Sequence, residues 1–356
     1  MILNVISSVK SGGAELLVGE LHGIYKKKGV NSKVIYFSGS STGLDEDQDV
    51  FGLNPRNPLN IIYFRRKIVT LLNVYDGEVV IHVHLTWPLY YVAIATLGIS
   101  NVKLYYTEHN TNNTRRKYPV LRFIDRLIYN RYSKIVCISE AVRFSLSKWL
   151  GFNFNDRLIT IPNGSRIFPV FNRTSLNGRK PILISIGSLT FKKNFKTLLY
   201  ALCNIKDVFD KYILIGEGPK RQDLERIISE NGLVNKVQLI GWTDNIQPYL
   251  NSADIQIIPS MWEGFGLVAV EGMSTGLPIV CSNVEGLRDV VNADGISVTL
   301  VDDIESFSAW SNAILLAIRN LNLHGQNKLA HYSRTQAELF TLERMADNYL
   351  KVYHEF

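Results

Sequence analysis

The sequence predicts an α/β protein of two doubly wound parallel sheets facing a cleft, on three observations. Short β-branched runs alternate with helical segments along the whole chain, the pattern of parallel strands joined by crossover helices. Several of those strands run straight into glycine-bearing turns that open a helix, as at Gly12-Gly13, Gly187-Ser188 and Gly264-Phe265-Gly266. The chain has 356 residues, enough for two domains of roughly 100–200 residues each.

Composition narrows the class. Hydrophobic residues make up 46% and charged residues 20% of the chain, as in an ordinary soluble globular protein. Cys137, Cys203 and Cys281 are isolated in or beside apolar runs and read as reduced thiols of a cytoplasmic protein. No paired Cys or His spacing suggests a metal site. No apolar run reaches about 18 residues, so neither a signal peptide nor a membrane span is expected. Residues 1–170 hold 21 Lys and Arg against 12 Asp and Glu, a balance of +9, while residues 171–356 balance at −2. An anionic partner for the first half follows.

In order, 2–9 reads as a strand ending in Ser11-Gly12-Gly13, with a helix over 14–25. The spacing lacks G-x-G-x-x-G, which disfavours a dinucleotide site. A strand at 34–37 precedes a loop-like stretch, 39–60, with acidic residues at 45–49. The segment 59–74 spaces Leu59, Ile62, Val69 and Leu72 along a helix that carries Arg65-Arg66-Lys67. It suits an anionic membrane surface, or equally a packed helix with a solvated basic edge. The strand 79–85 sends His82 and His84 to one face. After the next strand, 104–107, come Glu108-His109-Asn110, and a histidine at a strand end can donate to a phosphate or sugar oxygen. The basic segment 115–132, with Leu121, Ile124, Leu127 and Ile128 on one face, reads as a solvated helix. No nucleic-acid motif accompanies it. A strand at 135–139 and a helix from Glu140 follow; a strand at 158–161 then leads into Pro162-Asn163-Gly164.

In the second half, the strand 182–186 ends in Gly187-Ser188-Leu189, then Lys192-Lys193-Asn194 and a helix to Leu202. Taken alone, the two lysines are as well explained as a solvated pair. Strands at 212–215 and 237–240 reach Gly216 and Gly241. A short helix at 247–251 precedes the strand 254–259. Glu263-Gly264-Phe265-Gly266 then breaks that strand and opens a helix over 267–274, with Glu271 inside it. First-turn N–H groups near Phe265, Gly266 and Leu267 suit a phosphate. Helices are read at 315–321 and 339–353.

Glu263 and Glu271 form E-x7-E inside EGFGLVAVEGMSTGLPIV, and this stretch resembles the signature of retaining glycosyltransferases of family 4, which share the GT-B fold of two Rossmann-like domains. The resemblance covers most of residues 1–350. It implies that Glu263 bonds sugar hydroxyls and Glu271 the ribose of a nucleotide-sugar donor. Gly187 to Asn194 resembles G-R-L-x-x-x-K-[GN], which puts the pyrophosphate-clamping lysine on Lys193 and leaves Ser188 at the usual arginine. Gly12 and Gly13 match a glycine pair facing the donor phosphates, and His109 a histidine near the reacting centre, with Asn110 where the family commonly has Asp. Gly241 lies by the nucleotide base on the same grounds.

The implied domains are 1–166, on the acceptor side; 167–335, binding the nucleotide sugar; and 336–356, a helix returning to the first domain. The expected catalytic residues are Lys193, Glu263 and His109. The donor set is Gly12, Gly13, Ser188, Lys193, Gly241, Glu263, Gly264, Phe265, Gly266, Leu267 and Glu271, with no metal and no cofactor beyond the substrate. A UDP-sugar is favoured over a GDP-sugar, and no residue discriminates the base. The acceptor is read as a saccharide or lipid-linked saccharide, on a cytoplasmic protein peripheral to the inner face of the plasma membrane. Two rivals stay open at this point: a nucleotide-sugar epimerase of the same fold, and a non-catalytic nucleotide-sugar-binding protein.

Overall fold

The structure, a computed structural model, describes residues 1–9, 12–111, 113–169, 171, 175–292 and 295–354. It divides into two compact units, Met1–Gly164 with Leu342–Phe356, and Ser165–Thr341.

The first unit is wound around seven parallel strands: β1 (Ile2–Ser8), β2 (Ser32–Ser38), β3 (Gln48–Val50), β4 (Val79–His84), β5 (Val102–Glu108), β6 (Lys134–Cys137) and β7 (Leu158–Thr160). They lie in the order β3-β2-β1-β4-β5-β6-β7. The strands are short and apolar because both faces are covered, as parallel sheets require. Helices α1 (Gly13–Lys27), α2 (Leu59–Val74), α3 (Thr86–Ala95), α4 (Leu121–Tyr129) and α5 (Glu140–Leu150) make the crossovers.

Three expectations are corrected here. The stretch 39–60 is not all loop, since β3 pairs with Val34 to Tyr36 at the sheet edge. Three residues are too few to show a strand period; its acidic surroundings are held by Lys26, Lys33 and Lys67. Helix α2 has the expected bounds but buries Asn60, Phe64 and Ile68, leaving Leu59, Ile62 and Val69 between 41% and 48% exposed. Arg65 helps set that rotation by donating to the carbonyls of Ala95 and Leu97 at the end of α3. The segment 115–132 is not simply a solvated basic helix. In α4 only Asp125 and Tyr129 are buried, and Phe123, Ile124 and Leu127 face solvent. Arg115 and Arg116 meanwhile are partly buried, paired with Asp125 and Glu108.

The second unit has six parallel strands: β8 (Leu183–Ile186), β9 (Tyr212–Ile215), β10 (Val237–Gly241), β11 (Ile255–Ile258), β12 (Ile279–Ser282) and β13 (Val298–Val301). Their order is β10-β9-β8-β11-β12-β13. Helices α6 (Phe195–Asn204), α7 (Arg221–Glu230), α8 (Gln247–Ser252) and α9 (Leu267–Ser274) connect them, followed by α10 (Phe307–His324) and α11 (Gln326–Ala337). The core gathers Leu198, Leu202, Tyr212, Leu214, Ile257 and Trp310. Residues 315–321 lie within the longer α10, which starts where Ser306 accepts from the Ala309 N–H. Helix α11 carries too few apolar residues to announce itself. The final helix, α12 (Leu342–His354), begins after a short 3-10 turn at Glu338–Phe340. It belongs to the first unit, where Met345, Tyr349 and Tyr353 pack with Leu17, Leu21 and Tyr25 of α1.

Candidate active site

Each sheet has one place where the winding direction reverses: between β1 and β4 in the first unit, and between β8 and β11 in the second. Crossover helices diverge there to opposite faces of the sheet, and the crevice at the carboxyl ends of the strands is where such folds bind ligands. Most of the residues singled out by sequence lie at or beside these two positions, while Gly241 lies apart at the end of the edge strand β10.

In the second unit, β8 ends in the loop Gly187 to Thr190, followed by a 3-10 turn over Phe191–Lys193. Asn194 then takes a left-handed conformation, φ 52°, and caps α6. The loop is pressed onto the loop after β9: a Cβ on Gly216 would lie 2.0 Å from the carbonyl oxygen of Gly187. From the neighbouring β11 the chain passes through Ser260 to Glu263, and the Met261 N–H donates to the Lys192 carbonyl at 2.8 Å. The two strand ends are thereby tied together.

Glu263 sits between them, 7% exposed. Its Oε1 accepts from Lys193 Nζ at 2.5 Å and from the Ser260 hydroxyl at 2.8 Å, and its Oε2 accepts from Lys192 Nζ at 3.1 Å. Burial pushes the Glu263 carboxyl pKa up, but Lys193 and Lys192 outweigh it and hold the pKa below its ordinary value. Both lysines are thus ion-paired to Glu263, Lys192 while still 35% exposed, and they leave one positive charge in excess at the strand ends. Ser188 is exposed and adds no charge.

Gly264, Phe265 and Gly266 lead into α9. Gly266 takes φ 96°, and no side chain caps the helix. Phe265 is buried edge-on against Phe340, and the Leu267 carbonyl accepts from Ser165. The turn is backed by the loop after β12, which sequence left without a role. A Cβ on Gly286 would meet the Glu263 carbonyl oxygen at 2.4 Å. Glu271, in the second turn of α9, is 8% exposed. Its Oε1 accepts from Arg166 Nε at 3.1 Å and Nη2 at 2.8 Å. Arg166 was missed by sequence reasoning, which had no signal to pair it with a residue 105 positions away. Gly241 ends β10 at φ 88°, where a Cβ would come within 3.1 Å of Glu217 Oε1.

In the first unit, Gly12 caps α1 and Gly13 is its first residue; a Cβ on Gly12 would come within 2.9 Å of the Glu15 carboxylate. Ser11 of the same turn lies outside the described residues. His84 is the last residue of β4, and His109 follows the end of β5. His84 Nδ1 and His109 Nε2 are 3.2 Å apart, and the His84 and His82 rings stack at 4.4 Å. His82 is held by the Tyr353 hydroxyl on Nδ1 and by Thr107 Oγ1, 2.7 Å from Nε2. Burial lowers the pKa of all three histidines, to about 3 for His82 and about 4 for His109. The rings are neutral at pH 7. Beside them Glu108 accepts from Arg116 and Tyr129, both at 3.0 Å, and from the Asn110 N–H at 3.2 Å. The strand end under His109 is thus anchored by a buried ionic network.

Known proteins resemble this chain in sequence and fold. The family model described as glycosyl transferases group 1 matches residues 169–336, and the model described as glycosyltransferase family 4 matches residues 11–165. The chain is 26% identical over 302 residues to an uncharacterized glycosyltransferase of Methanocaldococcus jannaschii, covering 82% of each protein. It is 27% identical over 235 residues to the lipopolysaccharide core biosynthesis glycosyltransferase LpsE of Rhizobium meliloti, covering 64% of this chain and 66% of that one. Among solved structures, Anabaena HepE in complex with UDP-glucose superposes with a TM-score of 0.82 at 21% identity, covering 100% of this chain and 99% of that one.

Proposed function

We propose, for a chain that belongs to the family 4 glycosyltransferases of group 1, a retaining and metal-independent transfer of a hexose from a nucleotide-diphosphate sugar to a saccharide or lipid-linked saccharide acceptor. The setting is the assembly of a surface polysaccharide, as the lipopolysaccharide-building relative suggests. UDP-sugars are favoured as donors over GDP-sugars, in keeping with the UDP-glucose held by the HepE structure.

One observation carries the reading: the ammonium groups of Lys192 and Lys193 gathered on buried Glu263 at the switch point of the second sheet. When the bond between the anomeric carbon and the diphosphate oxygen breaks, its electron pair goes to the diphosphate. Lys193 and the first-turn N–H groups of α9 stabilise the charge that develops there. Glu263 orients the sugar hydroxyls and Glu271 those of the ribose. The acceptor hydroxyl attacks the same face of the anomeric carbon and gives its proton to the leaving phosphate. In the first unit, His109 hydrogen-bonds a hydroxyl of the reacting sugar.

The first unit also suits an anionic lipid surface. Phe123 and Val120, at 68% and 80% exposure, stand beside Lys117 and Arg122 on and before α4; Ile62 and Val69 stand beside Arg66 on α2. Apolar side chains ringed by cations fit the headgroup boundary of an anionic bilayer. Among the described residues no helix is long and apolar enough to cross a membrane.

The test is a panel of nucleotide sugars scored by thermal stabilisation, since a ligand that binds only the folded state raises its melting temperature. A UDP-sugar is expected to stabilise the protein and to release UDP only when an acceptor is added. Turnover of the donor without acceptor would point to an epimerase, and no stabilisation by any nucleotide sugar would refute the donor site. Sedimentation with anionic vesicles at low salt checks the lipid surface, and no binding there would remove it.

A further inference from the structure

The hydrogen-bond accounting around His109 leads to a residue whose part in the reaction is indirect. His84 is 2% exposed, and its Nδ1 lies 3.2 Å from His109 Nε2. Its other nitrogen, Nε2, is buried and has no hydrogen-bond partner among the described residues. Two neutral imidazoles can share that contact in only two ways. If His109 donated through Nε2, His84 would accept at Nδ1 and carry its own hydrogen on Nε2, leaving a buried N–H with no acceptor. If His84 donates through Nδ1, its Nε2 is left as an unpaired lone pair instead. Either orphan bears a desolvation cost, and the backbone pattern, in which orphaned buried N–H groups are rarer than under-satisfied carbonyls, favours the second arrangement.

We propose that His84 is a positioning residue: its Nδ1–H holds His109 in the tautomer that carries the hydrogen on Nδ1, leaving that N–H to donate to a sugar hydroxyl. The inference deepens the assignment of His109 to the reaction and rests on it. Two further observations support a fixed His84. Its ring stacks on His82, which is locked on both nitrogens by Tyr353 and Thr107. The next residue, Leu85, has φ 69° and ψ 165°, a backbone region that non-glycine residues hold only when the surroundings impose it. The end of β4 is therefore pinned from the sheet side and from the loop side. Both imidazoles are depressed in pKa by burial, so neither is expected to become an imidazolium near pH 7.

The experiment is proton–nitrogen correlation spectroscopy on protein labelled with 15N in histidine, with the His109 signals identified by their loss in His109→Gln. The expected result is a protonated Nδ1 and an unprotonated Nε2 on His109. A protonated Nε2 would overturn the proposal. His84→Leu removes the donor: it is expected to mix the two His109 tautomers and to lower kcat roughly tenfold, about the worth of one hydrogen bond to the reacting sugar, while donor KM stays put. His84→Asn places an amide nitrogen near the lost Nδ1 and is expected to recover most of both readouts. An unmoved tautomer and kcat in His84→Leu would equally refute it. Should that variant fail to fold, the wild-type spectrum still decides. If the tautomer is as stated but His109→Gln keeps full kcat, the role of His109 in transfer fails rather than the contact that orients it.

Discussion

Glu263 and Glu271 are eight positions apart, both more than nine-tenths buried, and both held by cations, yet they are held differently. Glu263 has two ammonium groups and a hydroxyl, one lysine on each oxygen. Glu271 accepts from the Arg166 guanidinium, whose Nε and Nη2 converge on one oxygen. An ammonium is a compact point charge on a flexible stem, which can leave a carboxylate and follow an anion. A guanidinium fixes direction through its planar fork. The lysine cluster thus suits charge that appears during a reaction, and the arginine contact suits a carboxylate that must keep its orientation toward a bound hydroxyl.

The largest effect is expected where charge develops. Lys193→Ala should lower kcat by about 100- to 1,000-fold, the range for removing one preorganised stabiliser of transition-state charge. Steady-state kinetics at saturating donor measures it, and Lys193→Arg should regain only part of the rate because the fork cannot follow the same path. An unchanged kcat in Lys193→Ala would erase the distinction between the two carboxylates.

Next comes binding. Glu271→Ala should weaken the donor about 10- to 100-fold, the loss of a charge-assisted hydrogen bond to the ribose worth about 1.5–3 kcal/mol. Calorimetry with UDP reads it without any sugar transfer. Arg166→Ala should weaken UDP less, by under about tenfold, because the Arg166 side chain is 36% exposed and such pairs are worth little by themselves. If Arg166→Ala cost more than Glu271→Ala, the guanidinium would itself be the ligand group and the comparison would invert.

How much of this was legible depended on whether the signal was local. The turn from β11 into α9 was readable because glycines, a helix start and two carboxylates fall within a dozen residues. The alternation of strands and helices likewise announced parallel sheets. Arg166 and the loop at Gly286 were not legible, because each meets its partner only after the chain has wound through other strands. Helix α4 failed for another reason. Periodicity found its apolar face but cannot say which face turns inward, and the inward one carries Asp125, bonded by Trp149 at 2.7 Å and by Tyr90. The contact between His84 and His109 was half visible: alternation put His82 and His84 on one face, but only sheet order sets β5 beside β4.

The smallest effect concerns stability, and its sign follows from the ion pairs. The folded-state pKa of Glu263 lies below the ordinary 4.5, so its stabilising contribution is complete above about that pH and is lost as pH falls through the folded value. Glu263→Gln removes the titration and leaves two lysines without their counter-charge. The variant should therefore melt below the wild type at pH 7, and the gap should begin to narrow as pH falls below about 4.5 and close only below the lower folded-state value, where folded wild-type Glu263 also becomes neutral. The corresponding Glu271→Gln pair gives the contrast, since Arg166 is 36% exposed and readily hydrated whereas Lys193 on Glu263 is only 15% exposed. Melting curves for both variants between pH 7 and 4 would show a wide, pH-sensitive gap for Glu263 and a narrow one for Glu271. Equal gaps would mean that the ammonium groups of Lys192 and Lys193 and the one guanidinium of Arg166 load the fold alike.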